Sequence, residues 1–94
     1  MDRKVVLITG TNSGFGWLTA QSVAALGHKV YATMRDISGK NAEKAKTLEE
    51  MENITVLDVS LTDEQSVKTA FNKIIAAEGT IDVLVNNAGI LCLA

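Results

Sequence analysis

Short apolar runs alternate along this chain with segments whose apolar residues recur at helical spacing. The runs are rich in β-branched residues and predict four strands, at residues 5–8, 28–34, 54–57 and 81–85. The segments between them predict three helices, near residues 15–26, 42–51 and 62–78. Gly27 and Gly79 stand where two of these helices should end, and Thr62 with Gln65 has the spacing of a capping box.

This βαβαβαβ order predicts a parallel sheet with helices on both faces and right-handed crossovers. We expect a Rossmann-like, doubly wound α/β fold with strand order 3-2-1-4, formed as one domain by residues 1–94. Ligands of such sheets bind beyond the carboxyl ends of the strands, where the strand order reverses. The loops at residues 9–16 and 86–89 meet at that point.

The first of these loops has the sequence T-G-T-N-S-G-F-G and connects a predicted strand to a predicted helix. Gly10 allows a tight turn, Gly14 lets the backbone approach a pyrophosphate, and Gly16 permits close helix–strand packing. Amides at the helix N-terminus would face the phosphate charge. A tight turn without a ligand is the alternative explanation, but the surrounding βαβ unit favours a dinucleotide site.

The spacing T-G-x-x-x-G-x-G resembles that of the short-chain dehydrogenase/reductase family. Residues 86–89, N-N-A-G, resemble a second motif of that family, and residues 81–85 resemble its usual approach. Asp58 and Val59 match a third segment, which lies by the adenine ring. The resemblance runs through about residue 89. It implies the cofactor-binding, N-terminal part of an NAD(P)-dependent oxidoreductase, with strands 5–7 of the family's sheet outside these 94 residues.

The resemblance also implies roles for the matching residues. The residues that would contact the pyrophosphate and nearby ribose are Gly10, Ser13, Gly14, Phe15 and Gly16. Contacts with the adenosine ribose and the cleft floor go to Asn86, Ala88 and Gly89. Asp58 and Val59 would hold the adenine, and Asn87 would stabilise the central strands through side-chain hydrogen bonds. Asp58 could instead be a turn or helix-entry residue, and the two asparagines could only form a turn.

The end of the second strand indicates which cofactor is preferred. An acid there binds the ribose 2′-hydroxyl of NAD, and an arginine accommodates the 2′-phosphate of NADP. Family spacing places Met34 at the acidic position, and Arg35 follows it. Asp36 lies two residues after Met34, so its carboxylate would have to reach back to bind the ribose hydroxyl. NADP is therefore favoured, with NAD as the alternative and a solvated charge as the other explanation of Arg35.

No catalytic residue is expected within the 94 residues. The family's tyrosine acid/base, the lysine four residues after it and the substrate-orienting serine all lie beyond the N-N-A-G motif. Tyr31 is followed four residues later by Arg35 rather than lysine, so we expect it to be structural. The sequence is therefore interpreted as a truncated or partial chain. Its last predicted strand, 81–85, would then be an exposed apolar edge.

Composition and charge limit the classes of partner that the chain is expected to bind. Nine Lys and Arg against eleven Asp and Glu give a net charge of −2, which predicts no nucleic-acid footprint and no attraction to anionic membranes. The single cysteine, Cys92, excludes an internal disulfide, and the first apolar run is too short for a signal peptide. We expect a soluble, cytoplasmic protein.

Two kinds of function remain open. The chain could belong to an enzyme that moves hydride between the cofactor and a small alcohol or carbonyl compound, and that could form homo-oligomers. It could instead be a non-catalytic dinucleotide-binding remnant or an unstable fragment.

Overall fold

A computed structural model describes residues 2–12 and 14–87 of the chain. Ser13, Ala88, Gly89 and Cys92 lie outside the described residues. Seven elements follow one another in the predicted order: β1 (Val5–Ile8), α1 (Gly14–Ala25), β2 (Lys29–Met34), α2 (Ala42–Glu49), β3 (Ile54–Asp58), α3 (Glu64–Glu78) and β4 (Val83–Val85). All neighbouring strands are parallel, and their order is β3-β2-β1-β4. The predicted α/β fold and strand order are confirmed.

The sheet is covered on both faces because side chains of β1 alternate between them. Val6 and Ile8 pack on one face with residues of α1 and α2, and Val5 and Leu7 pack on the other with Ile74 of α3. All four β1 side chains are buried. A strand with no solvated face has a continuous run of apolar residues in its sequence. The predicted bounds of β1, residues 5–8, therefore agree with the observed ones.

The buried face of α1 differs from the one its large apolar residues indicate. Gly16, Ala20 and Ala24 face the sheet, at intervals of four residues. Phe15 and Leu18 are exposed by 80% and 61%. Small residues allow the helix axis to approach the strands closely, so this helix packs through the residues that contribute least to an apolar pattern.

The start of α3 corrects the predicted capping box. Asp63, not Thr62, is the N-cap, and its carboxylate accepts hydrogen bonds from the backbone amides of Gln65 and Ser66. An aspartate at this position satisfies the first free amides of a helix and complements its dipole, as a threonine one residue earlier cannot. The predicted end of the helix is confirmed, because Gly79 caps it in the left-handed conformation with φ 80°.

β4 is shorter than predicted and forms one edge of the sheet in the described part of the chain. Its residues Val83 and Leu84 are 43% and 42% exposed, as expected for an apolar edge strand. The chain before it is held by Asp82, whose carboxylate accepts a 2.8 Å hydrogen bond from the amide of Val5. Across residues 2–12 and 14–87, no helix is both long and apolar enough to cross a membrane.

A buried phenol joins α3 to the sheet at the end opposite the glycine loop. The Tyr31 hydroxyl donates a 2.6 Å hydrogen bond to Glu78, and the ammonium of Lys29 lies 5.0 Å from the centre of the Tyr31 ring. Burial, followed by the hydrogen bond and the negative charge of Glu78, raises the pKa of Tyr31 from 10.0 to about 12. The Tyr31 side chain thus connects β2 to the last residue of α3.

This raised pKa predicts a loss of stability at high pH. The folded state favours the neutral phenol, so its contribution is complete below pH 10 and is lost as the pH rises towards about 12. The free energy of unfolding, measured in urea, should fall by about 2 kcal/mol across that interval. Tyr31→Phe has no phenol to ionise, so its free energy of unfolding should fall by about 2 kcal/mol less than that of the wild type over the same interval. An equal decrease in both proteins would contradict the raised pKa of Tyr31.

Candidate functional site

The loop after β1 turns sharply because two of its glycines adopt left-handed backbone conformations. Gly10 has φ 64° and Gly14 has φ 60°. A Cβ on Gly14 would meet no atom within 4 Å, so this glycine borders open space. A Cβ on Gly16 would instead collide with the carbonyl oxygen of Gly10 and lie 2.8 Å from Nδ2 of Asn87. The loop is therefore open at Gly14 and closed at Gly16.

Two threonines attach this loop to the strands on either side of β1. The Thr11 amide and hydroxyl both donate to the carbonyl of Thr33 in β2, each at 3.1 Å. The Thr9 amide donates to the carbonyl of Val85 in β4 at 3.0 Å. Because both threonines are buried, these bonds fix the loop relative to the strands at the point where the strand order reverses.

The two asparagines after β4 complete this attachment. Asn86 accepts a 3.1 Å hydrogen bond from the Thr9 hydroxyl through its Oδ1 atom. Asn87 donates from Nδ2 to the carbonyl of Gly10 at 3.2 Å. Asn87 was expected to bond the central strands, and the structure shows it joining the loops that leave β1 and β4. The predicted meeting of these loops at one edge is confirmed for the described residues.

A cleft of about 680 Å³ opens beyond the carboxyl ends of β1, β2 and β3. Four of the residues expected to contact a cofactor line it: Gly10, Arg35, Asp58 and Val59. Four others lie outside its lining: Gly14, Phe15, Gly16 and Asn86. The cleft therefore coincides with the adenosine end of the expected site rather than with the whole of it.

Asp58 supports the loop that leaves β2. Its carboxylate accepts hydrogen bonds from the backbone amides of Asp36, at 3.2 Å, and Ile37, at 3.4 Å. The turn role that the sequence left open for Asp58 is therefore present in the structure. A carboxylate oxygen can accept more than one hydrogen bond, so these contacts leave Asp58 able to accept from a ligand in the cleft as well.

Asp36 closes the turn that follows β2. It has φ 52°, and its Oδ2 atom accepts a 2.9 Å hydrogen bond from the amide of Lys40. Its carbonyl accepts from the amides of Gly39 and Asn41 at 3.2 and 3.0 Å. The Asp36 carboxylate is thus directed to its own turn, although the residue also borders the cleft.

Arg35 and Lys40 place two cations at the rim of the cleft. Both residues are exposed, and both belong to its lining. In the part of the chain that the structure describes, the one ion pair joins Lys68 to Glu64, on the surface of α3. Neither cation therefore has a carboxylate within 4.0 Å among the described side chains. Their charges remain available to an anion in the cleft.

Comparison with known proteins identifies the fold family. The family model for the short chain dehydrogenases matches residues 4–94 of the chain. The chain belongs to this family. A curated member, the 3-ketodihydrosphingosine reductase of Bacteroides thetaiotaomicron, is 40% identical over 89 residues, which cover 95% of this chain and 29% of the relative. The chain thus spans less than a third of the length of that short-chain dehydrogenase relative.

Solved structures of family members agree with the observed architecture. A metagenomic short-chain oxidoreductase, solved in complex with NADP, has a TM-score of 0.77 and 29% identity, with 93% of this chain and 39% of that chain covered. A 3-ketoacyl-(acyl-carrier-protein) reductase from Brucella melitensis, complexed with NADH, has a TM-score of 0.74 and 32% identity. That match covers 86% of this chain and 32% of that chain.

Sequence reasoning about this short-chain dehydrogenase chain missed several residues that form the cleft. Asn12, Lys40 and Asn41 line it, and Asn41 donates from Nδ2 to the carbonyl of Arg35 at 2.6 Å. One signal was available for Lys40: it lies in the loop after β2, which must open at the same edge of a parallel sheet as the glycine loop.

Proposed function

We propose that this chain is the cofactor-binding part of an NADP-dependent short-chain dehydrogenase acting on a small alcohol or carbonyl compound. The observation that carries the proposal is the cleft at the carboxyl ends of β1–β3, with the left-handed Gly10 at one side and the unpaired Arg35 at another. The nicotinamide, when bound, would donate hydride to a carbonyl carbon or accept it from an alcohol carbon. The residues of the glycine loop and the cleft would hold and orient the cofactor. The compartment that we propose for the protein is the cytoplasm.

The glycine loop fits a pyrophosphate. Gly14 opens α1 with no side chain and no neighbour within 4 Å of an added Cβ, so phosphate oxygens can approach the first amides of the helix. Phe15 lies beside it and is exposed, which leaves its side chain free to contact the cofactor. We assign Ser13 to the same phosphate contacts, and Gly16 to keeping α1 close to Gly10.

The far end of the cleft fits an adenosine. Val59 is buried yet contributes to the lining, so its side chain offers an apolar surface to a base. Asp58 offers carboxylate oxygens to an amino group beside it. We assign contacts with the adenosine ribose to Asn86, which lies outside the lining of this cleft, together with Ala88 and Gly89.

The end of β2 favours NADP over NAD. The guanidinium of Arg35 can bind a phosphate through two parallel hydrogen bonds, and no described carboxylate competes for it. Asp36, the acid that could accept from a ribose hydroxyl, comes one residue after Arg35, and its Oδ2 atom faces the Lys40 amide of its own turn. The relatives include one solved with NADP and one with NADH, so the family itself accommodates both cofactors.

Calorimetric titration of the chain with NADP and with NAD tests the proposal. We expect both dinucleotides to bind and NADP to bind more tightly, because only NADP presents a phosphate to Arg35. A chain that is folded by circular dichroism and binds neither dinucleotide would overturn the proposed function. Tighter binding of NAD would overturn the NADP preference alone.

Arg35→Ala should reduce or abolish the difference in affinity between NADP and NAD. Losing a charge-assisted hydrogen-bonding pair should weaken NADP binding by roughly tenfold to a hundredfold and change NAD binding little. Arg3→Ala is the matched control, since the Arg3 guanidinium lies 3.4 Å from Oδ1 of Asn53, outside the cleft lining. Equal losses for both dinucleotides in Arg35→Ala would remove Arg35 from the selection of the cofactor.

A further inference from the structure

The carboxylate of Asp58 lies where the cleft meets the β2 exit turn, which is formed by residues 35–41. Asp58 is exposed and lines the cleft, and it also lines a smaller cavity of about 200 Å³ beside α3. We propose that Asp58 is a positioning residue: it orients the β2 exit turn and thereby couples recognition of the adenine base to selection between the two cofactors. This inference rests on the proposed function.

Strand pairing fixes where the Asp58 carboxylate begins. Asp58 is the last residue of β3 and pairs in register with Met34, the last residue of β2. The pairing continues one residue further, because the amide of Val59 donates to the carbonyl of Met34 at 3.1 Å. The backbone of Asp58 is therefore held by the sheet rather than by a loop, and its side chain gives the turn a fixed point of attachment.

The turn is attached to this point through two consecutive amides. Oδ1 of Asp58 accepts from the amide of Asp36 at 3.2 Å, and Oδ2 accepts from the amide of Ile37 at 3.4 Å. Within the turn, the amides of Gly39 and Asn41 donate to the carbonyl of Asp36. These internal bonds set the shape of the turn, whereas the bonds to Asp58 set its orientation relative to β3.

The placement of Arg35 follows from this arrangement. Arg35 comes between Met34, which ends β2, and Asp36, whose amide is bonded to β3. Its backbone is thereby held on both sides, which limits the volume that its guanidinium can reach. Without the bonds to Asp58, the arginine would start from a more mobile backbone and lose more conformational entropy on binding a phosphate.

The same carboxylate faces the part of the cleft that we assign to the base. Asp58 lines it together with Val59. Each carboxylate oxygen has more than one acceptor position, so an exocyclic amino group and a turn amide can share it. A bound adenine then favours the carboxylate orientation that also holds the turn. By thermodynamic linkage this coupling is reciprocal, so an ordered turn also favours the base.

Asp58→Asn tests the coupling with two probes that differ only in the 2′-phosphate, adenosine 2′,5′-bisphosphate and adenosine 5′-monophosphate. Asparagine keeps one oxygen and replaces the other with an NH₂ group, which cannot accept the second amide. In calorimetric titrations, the ratio of bisphosphate affinity to monophosphate affinity should fall by about threefold or more. A residue that contacts only the base would weaken both probes equally, so an unchanged ratio would overturn the proposal.

The charge that Asp58→Asn removes acts in the opposite direction. A carboxylate at the cleft repels a phosphate, so its loss alone would strengthen bisphosphate binding and raise the affinity ratio. A fall in the ratio therefore identifies the positioning role and not a change of electrostatic field. A rise in the ratio would show that repulsion is the main effect of Asp58 on selection, and would overturn the inference.

Amide hydrogen exchange, followed by NMR without any ligand, measures the attachment itself. In Asp58→Asn, the amides of Asp36 and Ile37 should exchange severalfold faster than in the wild type. The amides of Gly39 and Asn41, which are bonded within the turn, should keep their rates. Equal acceleration of all four amides, or no acceleration at Asp36 and Ile37, would contradict a role in orienting the turn.

Asp63→Asn is the matched control. Asp63 is also an exposed carboxylate that accepts from two backbone amides, those of Gln65 and Ser66, and it lies outside the cleft lining. The substitution removes the same charge, and asparagine is a good N-cap, so the fold should be retained. The affinity ratio of Asp63→Asn should equal that of the wild type within about twofold.

The outcomes separate the inference from the function on which it rests. If the wild-type chain prefers the bisphosphate and Asp58→Asn keeps the same ratio, the inference is wrong and the proposed function stands. If the wild-type chain binds both probes equally, the NADP preference and the inference are both wrong. If the folded wild-type chain binds neither the probes nor the dinucleotides, the proposed function fails as well. Circular dichroism of each variant establishes that a lost affinity does not reflect an unfolded chain.

Discussion

Gly14→Val is expected to reduce dinucleotide affinity by about 100-fold or more, the equivalent of about 2.8 kcal/mol. The valine side chain would project into the open space that borders Gly14, which is where we place the pyrophosphate. It would also block the approach of phosphate oxygens to the first amides of α1. Calorimetry with NADP measures the effect directly.

The control for this variant must carry the same backbone strain. Valine at φ 60° costs about 1–2 kcal/mol in any protein, which could lower affinity through partial unfolding. Gly79→Val introduces comparable strain at φ 80°, also with no neighbour within 4 Å, at the end of α3. Gly79→Val should lose stability and keep its affinity. If the two variants lose affinity equally, Gly14 has no direct role at the phosphates.

Gly16→Ala is expected to act on stability instead, lowering the free energy of unfolding by about 3 kcal/mol. The new methyl group would collide with the Gly10 carbonyl, which is backbone and cannot rotate away as a side chain can. Moving it would strain the hydrogen bond from Asn87 and the turn at Gly10. Urea denaturation of both proteins gives the difference.

Gly14→Ala is the comparison for this second variant. It adds the same methyl group two residues earlier, in open space, and should cost only about 1–2 kcal/mol of left-handed strain. Equal stability losses at positions 14 and 16 would mean that α1 does not pack against Gly10 as described. Together the four variants separate a glycine needed for a ligand from a glycine needed for the fold.

Apolar patterning predicted the elements of this fold better than it predicted their packing. β1 is buried on both faces, so its four apolar residues could be assigned from sequence with the observed bounds. The buried face of α1 could not, because Ala20 and Ala24 pack against the sheet while Leu18 is exposed. Periodicity reveals that a helix is amphipathic only when its buried residues are the large ones.

The candidate site was predictable where it depends on local sequence. Gly10 and Arg35 could be placed because each follows a strand directly, at the edge where ligands of parallel sheets bind. The contacts between loops could not be placed from sequence. The Asp58 carboxylate reaches amides 21 and 22 residues away, and the Asn87 side chain reaches a carbonyl 77 residues away. Such partners follow from tertiary geometry and leave no local signal.

The bonds from Asp58 have a consequence for protein engineering. A common way to exchange cofactor preference is to graft the segment after β2 from one protein onto another. Here the amides of Asp36 and Ile37 donate hydrogen bonds to the carboxylate of Asp58 in β3, which lies outside that segment. A graft of residues 35–41 alone would keep the hydrogen bonds inside the turn. It would not bring the carboxylate of Asp58 that accepts from the amides of Asp36 and Ile37. The transferable module is the segment together with the last residue of the neighbouring strand.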